Sequence, residues 1–315
     1  MEYRNLGKAG VKVSRLCLGT AFRGHGEEAT CIRVIERALD LGCTFVDCAN
    51  SYGRGRSETI VGKALKDKRQ GVVLTSKVWT PMADGPNDRG LSRFHIMREV
   101  EDTLQRLQTD YLDLYLLHNF DPETPMEETL RATDDLVRQG KTRYVGCSNL
   151  TGWQIVTGLW TSDARALAAF ACIQNPYNLL MRDPMETDLI PVCRHYGLGI
   201  MTYSPLAVGL LTGRFRRGQL PPPNTPWSRR PDQFETQMTE RADAVVQTLI
   251  DIAGKHNKTP AQVAIAWLLD QDDITAPILG PDLPEHVDEA FGALDIHLTP
   301  EDRTALDEIS RKISQ

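Results

Sequence analysis

The chain has 315 residues, 41% of them hydrophobic, which is enough apolar material for one large α/β domain with a real core. A formal net charge of −6 argues against bulk nucleic-acid affinity, which needs a basic field. No apolar stretch approaches the ~20 residues of a membrane helix. The opening Met1-Glu2-Tyr3-Arg4-Asn5-Leu6 has no apolar signal region, so a cytoplasmic protein is expected.

In chain order, the first 14 residues read as a short hairpin turning at Lys8-Ala9-Gly10, suited to plug the end of a barrel. Strand-like runs follow at 15–18, 44–47, 72–77, 112–118, 143–147, 171–174, 199–203 and 276–279. Between them lie amphipathic helix patterns, such as Ile32, Ile35, Ala38 and Leu39, or Met97, Val100, Leu104 and Leu107. Eight strands alternating with helices predict a (β/α)8 TIM barrel with an N-terminal β-hairpin, a single domain over 1–315. No G-x-G-x-x-G follows any strand, which argues against an open dinucleotide-binding sheet. Strand ends recur at roughly 30-residue intervals, one βα unit each. The gap between Tyr203 and the last strand is longer; it holds a Pro-rich segment at 220–227 and helices at 241–256 and 260–269. That insertion and segment 80–90 are expected to be lid or binding loops on one face. A last helix opens with Thr299 as N-cap and Pro300 at N1. The seven cysteines show no paired spacing and mostly sit in apolar segments, so they read as reduced core residues without a metal.

Asp47, Tyr52, Lys77 and His118 close strand-like runs, and polar residues at strand C-termini converge on one mouth of a parallel barrel. Each alone has a plain structural explanation: a helix cap, a rim residue, a solvated lysine, a packed histidine. Together they make a proton-delivery site. A phenol is too weak an acid alone; a lysine ammonium eases loss of its proton, an aspartate holds the lysine, and a histidine orients a carbonyl or shares the proton. Hydride must then come from a nicotinamide or flavin.

The segments Phe45-Val46-Asp47, Asn50-Ser51-Tyr52-Gly53, Thr75-Ser76-Lys77, Tyr115-Leu116-Leu117-His118, Gly146-Cys147-Ser148-Asn149, Gln174-Asn175-Pro176-Tyr177-Asn178 and Tyr203-Ser204-Pro205-Leu206 resemble those of the aldo-keto reductases. The likeness spans nearly the whole chain, in order, and is greatest to bacterial members near the potassium-channel beta subunits. It implies a barrel that reduces aldehydes or ketones with NADPH, Tyr52 giving the proton, Lys77 and Asp47 tuning it and His118 orienting the substrate. It further implies that Ser148, Asn149 and Gln174 bind the nicotinamide carboxamide, that Tyr203 stacks on the ring, and that Gly19 and Thr20 line the same pocket beside Asp47. Ser204, Pro205, Leu206, Gly209, Leu211 and Arg214 would pass over the pyrophosphate, and Arg229 would meet a phosphate. Gly280, Asp282, His286 and Glu289, after the last strand, complete the implied cofactor set.

Members of that family usually carry a small or basic residue where Asp282 stands, a Gln at His286 and an Asn at Ala290. A carboxylate repels the 2′-phosphate of NADPH but accepts hydrogen bonds from the ribose of NADH, so NAD(H) is expected as a competent alternative to NADP(H). Phe22, Trp79, Trp227 and Phe234 are candidate pocket walls. Arg23, His25 and Arg54 would suit a hydroxylated or anionic small-molecule substrate. Two other classes compete with a reductase: a nucleotide-binding regulatory or redox-sensing subunit with little turnover, and a phosphate-binding isomerase barrel. A homo-oligomer would show itself as an exposed apolar patch on a barrel helix.

Overall fold

The computed structural model describes residues 1–22 and 26–311. The chain opens with an antiparallel pair, β1 (Tyr3–Asn5) and β2 (Lys12–Ser14). Strands and helices then alternate: β3 (Cys17–Gly19), α1 (Glu28–Asp40), β4 (Phe45–Asp47), α2 (Arg56–Leu65), β5 (Val73–Val78), α3 (Arg93–Leu107) and β6 (Leu112–Leu117). They continue with α4 (Met126–Arg138), β7 (Thr142–Ser148), α5 (Gly152–Arg165), β8 (Phe170–Pro176), α6 (Ile190–Tyr196) and β9 (Gly199–Tyr203). The long insertion carries α7 (Pro231–Gln237), α8 (Glu240–His256) and α9 (Pro260–Leu269). The chain ends with β10 (Ala276–Leu279), α10 (Pro284–Phe291) and α11 (Pro300–Ser310). Parallel strands close a barrel in the order β10-β3-β4-β5-β6-β7-β8-β9. This is the expected (β/α)8 architecture.

Strand alternation sorts the side chains. Cys17, Phe45, Leu114, Leu116, Cys172, Met201, Ala276 and Ile278 form the apolar filling of the barrel, together with Leu6 and Val13 of the hairpin segment. The hairpin therefore closes the N-terminal end, as expected. Alternate residues such as Leu18, Val46, Leu74, Tyr115, Ile173 and Ile200 belong to the outer core beneath the helices. Helix α1 shows why those helices form: Cys31, Val34, Ile35 and Ala38 bury one stripe at i, i+3, i+4 and i+7. The period of two also positions the site, because Asp47, Gln174 and Tyr203 each stand two residues beyond an interior residue, Phe45, Cys172 and Met201. The same phase that packs the barrel thus aims these polar groups into its C-terminal mouth.

The long insertion departs from its expected role in one respect. Phe234 is a core residue and not a pocket wall, whereas Trp227 also lines a surface pocket with Asp232, Gln233, Thr236 and Gln237. Both aromatic residues are buried, their ring centroids lie 6.2 Å apart, and Phe234 also meets Phe215 at 6.0 Å. The indole Nε1 of Trp227 donates to the Val208 carbonyl at 3.0 Å. With few periodic apolar positions of its own, this segment needs its aromatics as an internal core. Phe22 is buried in the outer core as well, while Trp79 is half-buried after β5. Arg54 is exposed, and Arg23 and His25 lie outside the described residues. Helix α5 carries two exposed tryptophans, Trp153 and Trp160. All seven cysteines are free and buried. Among the described residues no helix is long and apolar enough to cross a membrane, and no His/Cys/Asp/Glu cluster suited to a metal occurs.

Candidate active site

At the mouth of the barrel, Lys77 is 0% exposed and its ammonium is fully engaged. Nζ donates to Asp47 Oδ2 at 2.7 Å, to the Cys48 carbonyl at 2.9 Å and to Tyr52 Oη at 3.0 Å. Three donors meet three acceptors, so no hydrogen of the buried charge is left over. The other carboxylate oxygen of Asp47 accepts from Gln174 Nε2 at 2.9 Å, which ties β8 to the same group. The Asp47 carbonyl is braced in turn by the backbone N–H and hydroxyl of Thr20, both at 3.0 Å.

Of the four residues, Tyr52 is not where a strand end would put it, whereas His118 directly follows its strand. Strand β4 stops at Asp47, and Tyr52 stands five residues later in a turn that leads into α2. His118 lies one residue past β6, held by its backbone N–H to the Val78 carbonyl at 2.9 Å. The turn folds Tyr52 back over the mouth, where its ring meets that of His118 edge-on with centroids 6.0 Å apart.

Electrostatics assign each group a state. For Lys77, burial works against the charge, but the Asp47 carboxylate and the Tyr52 phenol outweigh it, so its pKa lies above that of free lysine. For Tyr52, burial raises the phenol pKa and the nearby Lys77 ammonium only partly offsets it. Lys77 acts in the expected direction, easing loss of the phenol proton, but burial outweighs it and the Asp47 carboxylate adds to the rise. His118 is pushed down to about 3 by burial and then by Lys77. It is a neutral imidazole at physiological pH and shares no cationic proton with Tyr52. Its Nδ1 is buried with no hydrogen-bond partner among the described residues.

Around this centre, Ser148 Oγ donates to the Gln174 carbonyl at 2.8 Å. Asn149 Nδ2 donates to the His118 carbonyl at 2.9 Å, and Asn149 Oδ1 accepts from Tyr203 Oη at 2.7 Å. Ser148, Asn149, Gln174 and Tyr203 thus form one connected wall beside the proton site. A sequence profile of the Aldo/keto reductase family matches residues 15–311. The chain belongs to the aldo/keto reductase family. It is similar to "Uncharacterized oxidoreductase YrpG" of Bacillus subtilis (strain 168), 38% identical with 98% of this chain and 96% of that protein covered. It is also 32% identical to "Probable voltage-gated potassium channel subunit beta" of Arabidopsis thaliana, covering 99% of this chain and 97% of that one. The same identity, 32%, relates it to "Versiconal hemiacetal acetate reductase" of Aspergillus parasiticus, over 98% of this chain and 96% of the relative. Its class is that of an oxidoreductase.

The remaining positions implied by membership in the aldo/keto reductases divide into two kinds. Gly19 ends β3, and Thr20 beside it is fully buried with its hydroxyl committed to Asp47 and, at 2.8 Å, to Ser57. Thr20 therefore braces Asp47. Leu211 is buried in the outer core and offers only its backbone. Ser204, Leu206 and Gly209 are half-buried in the loop after β9, and Pro205 beside them is buried. Arg214 and Arg229 are exposed. Beyond β10, Gly280 is exposed with open space above its Cα, Asp282 is half-buried, and His286 and Glu289 are exposed on α10. The sequence reading missed the supports of this site, Ser57 and Glu58 on α2 and Arg106 on α3. One signal was available: Glu58 stands on the buried stripe of α2 beside Ile60 and Val61, where an acid needs a partner.

Proposed function

We propose that this aldo/keto reductase interconverts an aldehyde or ketone and the corresponding alcohol, with NADP(H) or NAD(H) as cofactor and Tyr52 as proton donor. The observation that carries the reading is the fully buried Lys77 ammonium held at once by Asp47 and Tyr52. Because no side chain donates hydride, a bound nicotinamide supplies that part of the chemistry. Gln174 fits such a group. Its Nε2 is spent on Asp47, and its Oε1 accepts no hydrogen bond from any described residue, leaving an acceptor suited to a carboxamide NH2.

Tyr52 is fully protonated at neutral pH, so the donor is loaded before substrate arrives. As the proton leaves Oη, negative charge grows 3.0 Å from the Lys77 ammonium, which stabilises the phenolate more than the phenol. Asp47 keeps the lysine charged and fixed. Neutral His118, beside the Tyr52 ring, supplies an imidazole hydrogen bond that orients the carbonyl oxygen toward Oη. The acidic Asp282 after β10 supports use of NADH as well as NADPH, since it disfavours a 2′-phosphate nearby.

A second reading, a nucleotide-binding regulatory or redox-sensing subunit with little turnover, draws on the name of the Arabidopsis relative. Steady-state assays with a generic aldehyde and either nicotinamide cofactor separate the two. The reductase reading expects turnover in the wild type and a loss of about 10²-fold or more in Tyr52→Phe. Tight cofactor binding without turnover would favour the subunit reading. Failure to bind either cofactor would remove both.

A further inference from the structure

Tyr52 is carried by a turn that local preference does not hold on its own. Gly53, Arg54 and Gly55 adopt positive φ values of 61°, 53° and 87° in succession, and Arg54 has no glycine freedom to soften this. Backbone bonds from Tyr52 N–H to the Ala49 carbonyl and from Ser57 N–H to the Tyr52 carbonyl, both 3.1 Å, close the turn, and groups packed beneath it set where it sits.

One support lies directly beneath the turn. Arg106, near the C-terminus of α3, lies under the turn so closely that a Cβ on Gly55 would fall 2.6 Å from its Cδ. Its guanidinium donates Nε to Glu58 Oε2 and Nη2 to Glu99 Oε1, both at 2.5 Å. Glu58 is 0% exposed and Glu99 2%. Glu58 sits in the first turn of α2, directly after the Tyr52 turn, and its other oxygen accepts from Ser76 Oγ at 2.5 Å. Ser76 immediately precedes Lys77. One carboxylate thus links the turn bearing the phenol to the strand bearing the ammonium. Burial raises the Glu58 pKa and Arg106 opposes that rise, so the guanidinium is also what favours the carboxylate at this node.

We propose that Arg106, clamped by Glu58 and Glu99, is a positioning residue for Tyr52, setting the distance between the phenol and Lys77 from behind the turn. This rests on the reading of Tyr52 as the proton donor. The clamp touches neither the Ser148–Asn149–Gln174–Tyr203 wall nor the reacting atoms, so its loss acts on proton delivery and not on cofactor binding.

The test combines turnover with hydrogen–deuterium exchange of the free protein, for wild type, Arg106→Met, Arg106→Lys and Gly55→Ala. Gly55→Ala disturbs the same contact without stranding buried carboxylates, and serves where Arg106→Met folds poorly. The expected result for Arg106→Met and Gly55→Ala is a fall in kcat of about 10–100-fold with cofactor KM within about twofold, a misplacement effect. Exchange should rise in the peptide covering Ala49 to Ser57 and stay unchanged in β8 and β9. Arg106→Lys, which keeps the charge but not the fork, should recover part of kcat. Unchanged local exchange overturns the proposal, as does raised exchange with wild-type kcat or a uniform rise across the barrel. A wild type that itself fails to turn over removes the proton-donor reading first, and this proposal with it.

Discussion

The Lys77 ammonium and the Asp47 carboxylate form an ion pair of 2.7 Å inside the barrel, with side chains 0% and 2% exposed. Such a pair is costly to desolvate and is sustained because both groups have further partners: Cys48 O and Tyr52 Oη for the lysine, Gln174 Nε2 for the aspartate. Asp47→Asn leaves the ammonium buried without its counter-charge. The expected outcome is a loss of about 3–5 kcal/mol in urea unfolding, together with a fall in turnover larger than any change in cofactor affinity.

The raised pKa of Lys77 gives an alkaline signature. A group whose folded pKa exceeds its unfolded value stabilises fully below the unfolded value, here 10.5, and that stabilisation disappears as pH rises through the folded one. Tyr52 is raised above the ordinary phenol value of 10.0 and acts in the same direction, because the folded state keeps its proton longer. Urea midpoints should therefore hold steady toward pH 10 and fall above it. In Tyr52→Phe the fall should be shallower; an identical slope in the two proteins would sink the assignment.

His118 predicts the acid side. Its folded pKa of about 3 lies below the ordinary 6.5, so the unfolded chain binds a proton that the native imidazole refuses. The stabilisation is present above 6.5 and is lost progressively as pH falls toward the folded value. It amounts to roughly 2–4 kcal/mol. His118→Asn should lose less stability than wild type between pH 7 and pH 4. Catalysis should show no ionisation of His118 between pH 5 and pH 9.

Much of this was legible because apolar runs bounded by Gly and Pro leave little choice of strand. Gly199–Tyr203 and Ala276–Leu279 were read with their observed bounds, and so was Pro260–Leu269. The first barrel strand was read two residues early. Arg15 lies outside it, with its guanidinium under the barrel donating to the Ile274 and Thr275 carbonyls at 2.5 and 2.7 Å. A sequence run does not reveal such a tertiary demand. The polar tetrad was visible through its residue types. The turn that lifts Tyr52 clear of β4, the Gln174–Asp47 bond across 127 residues and the Glu58–Arg106 pair across 48 were not, since the two bonds depend on tertiary packing and the turn on three successive positive φ values, one of them at an arginine. Phe234 shows that an aromatic ring in an aperiodic loop suits a pocket and a small core equally well.

Cofactor choice turns on the charge after β10. Asp282 is half-buried there, with acidic Glu285 and Glu289 on the same short helix α10 and His286 as the basic residue. Asp282→Arg replaces a repelling carboxylate with a cation that grips a phosphate in two places. NADPH should bind about tenfold tighter or more in the variant, with NADH changed by about twofold or less, as measured by fluorescence titration. Strong NADPH preference in the wild type, unmoved by the substitution, would show that other groups set the choice.

The far end of the barrel makes a separate prediction about stability. Gly7 has φ +58°, and a Cβ there would fall 2.3 Å from the Gly199 nitrogen and 2.5 Å from the Gly197 carbonyl oxygen. Those are backbone atoms, and Lys8 N–H already bonds the Gly197 carbonyl at 2.8 Å, so the neighbour cannot swing aside as a side chain would. Gly199 faces the same contact from the other side, since its own Cβ would lie 3.0 Å from the Gly7 nitrogen. The hairpin plug thus seats by two backbones in direct contact. Gly7→Ala must both strain φ and push the plug off β9, at a cost of about 2–4 kcal/mol. Because the plug is at the end opposite the proton site, turnover per folded molecule should stay at the wild-type value while the urea midpoint drops. A variant as stable as wild type would mean the hairpin is not part of the cooperative core.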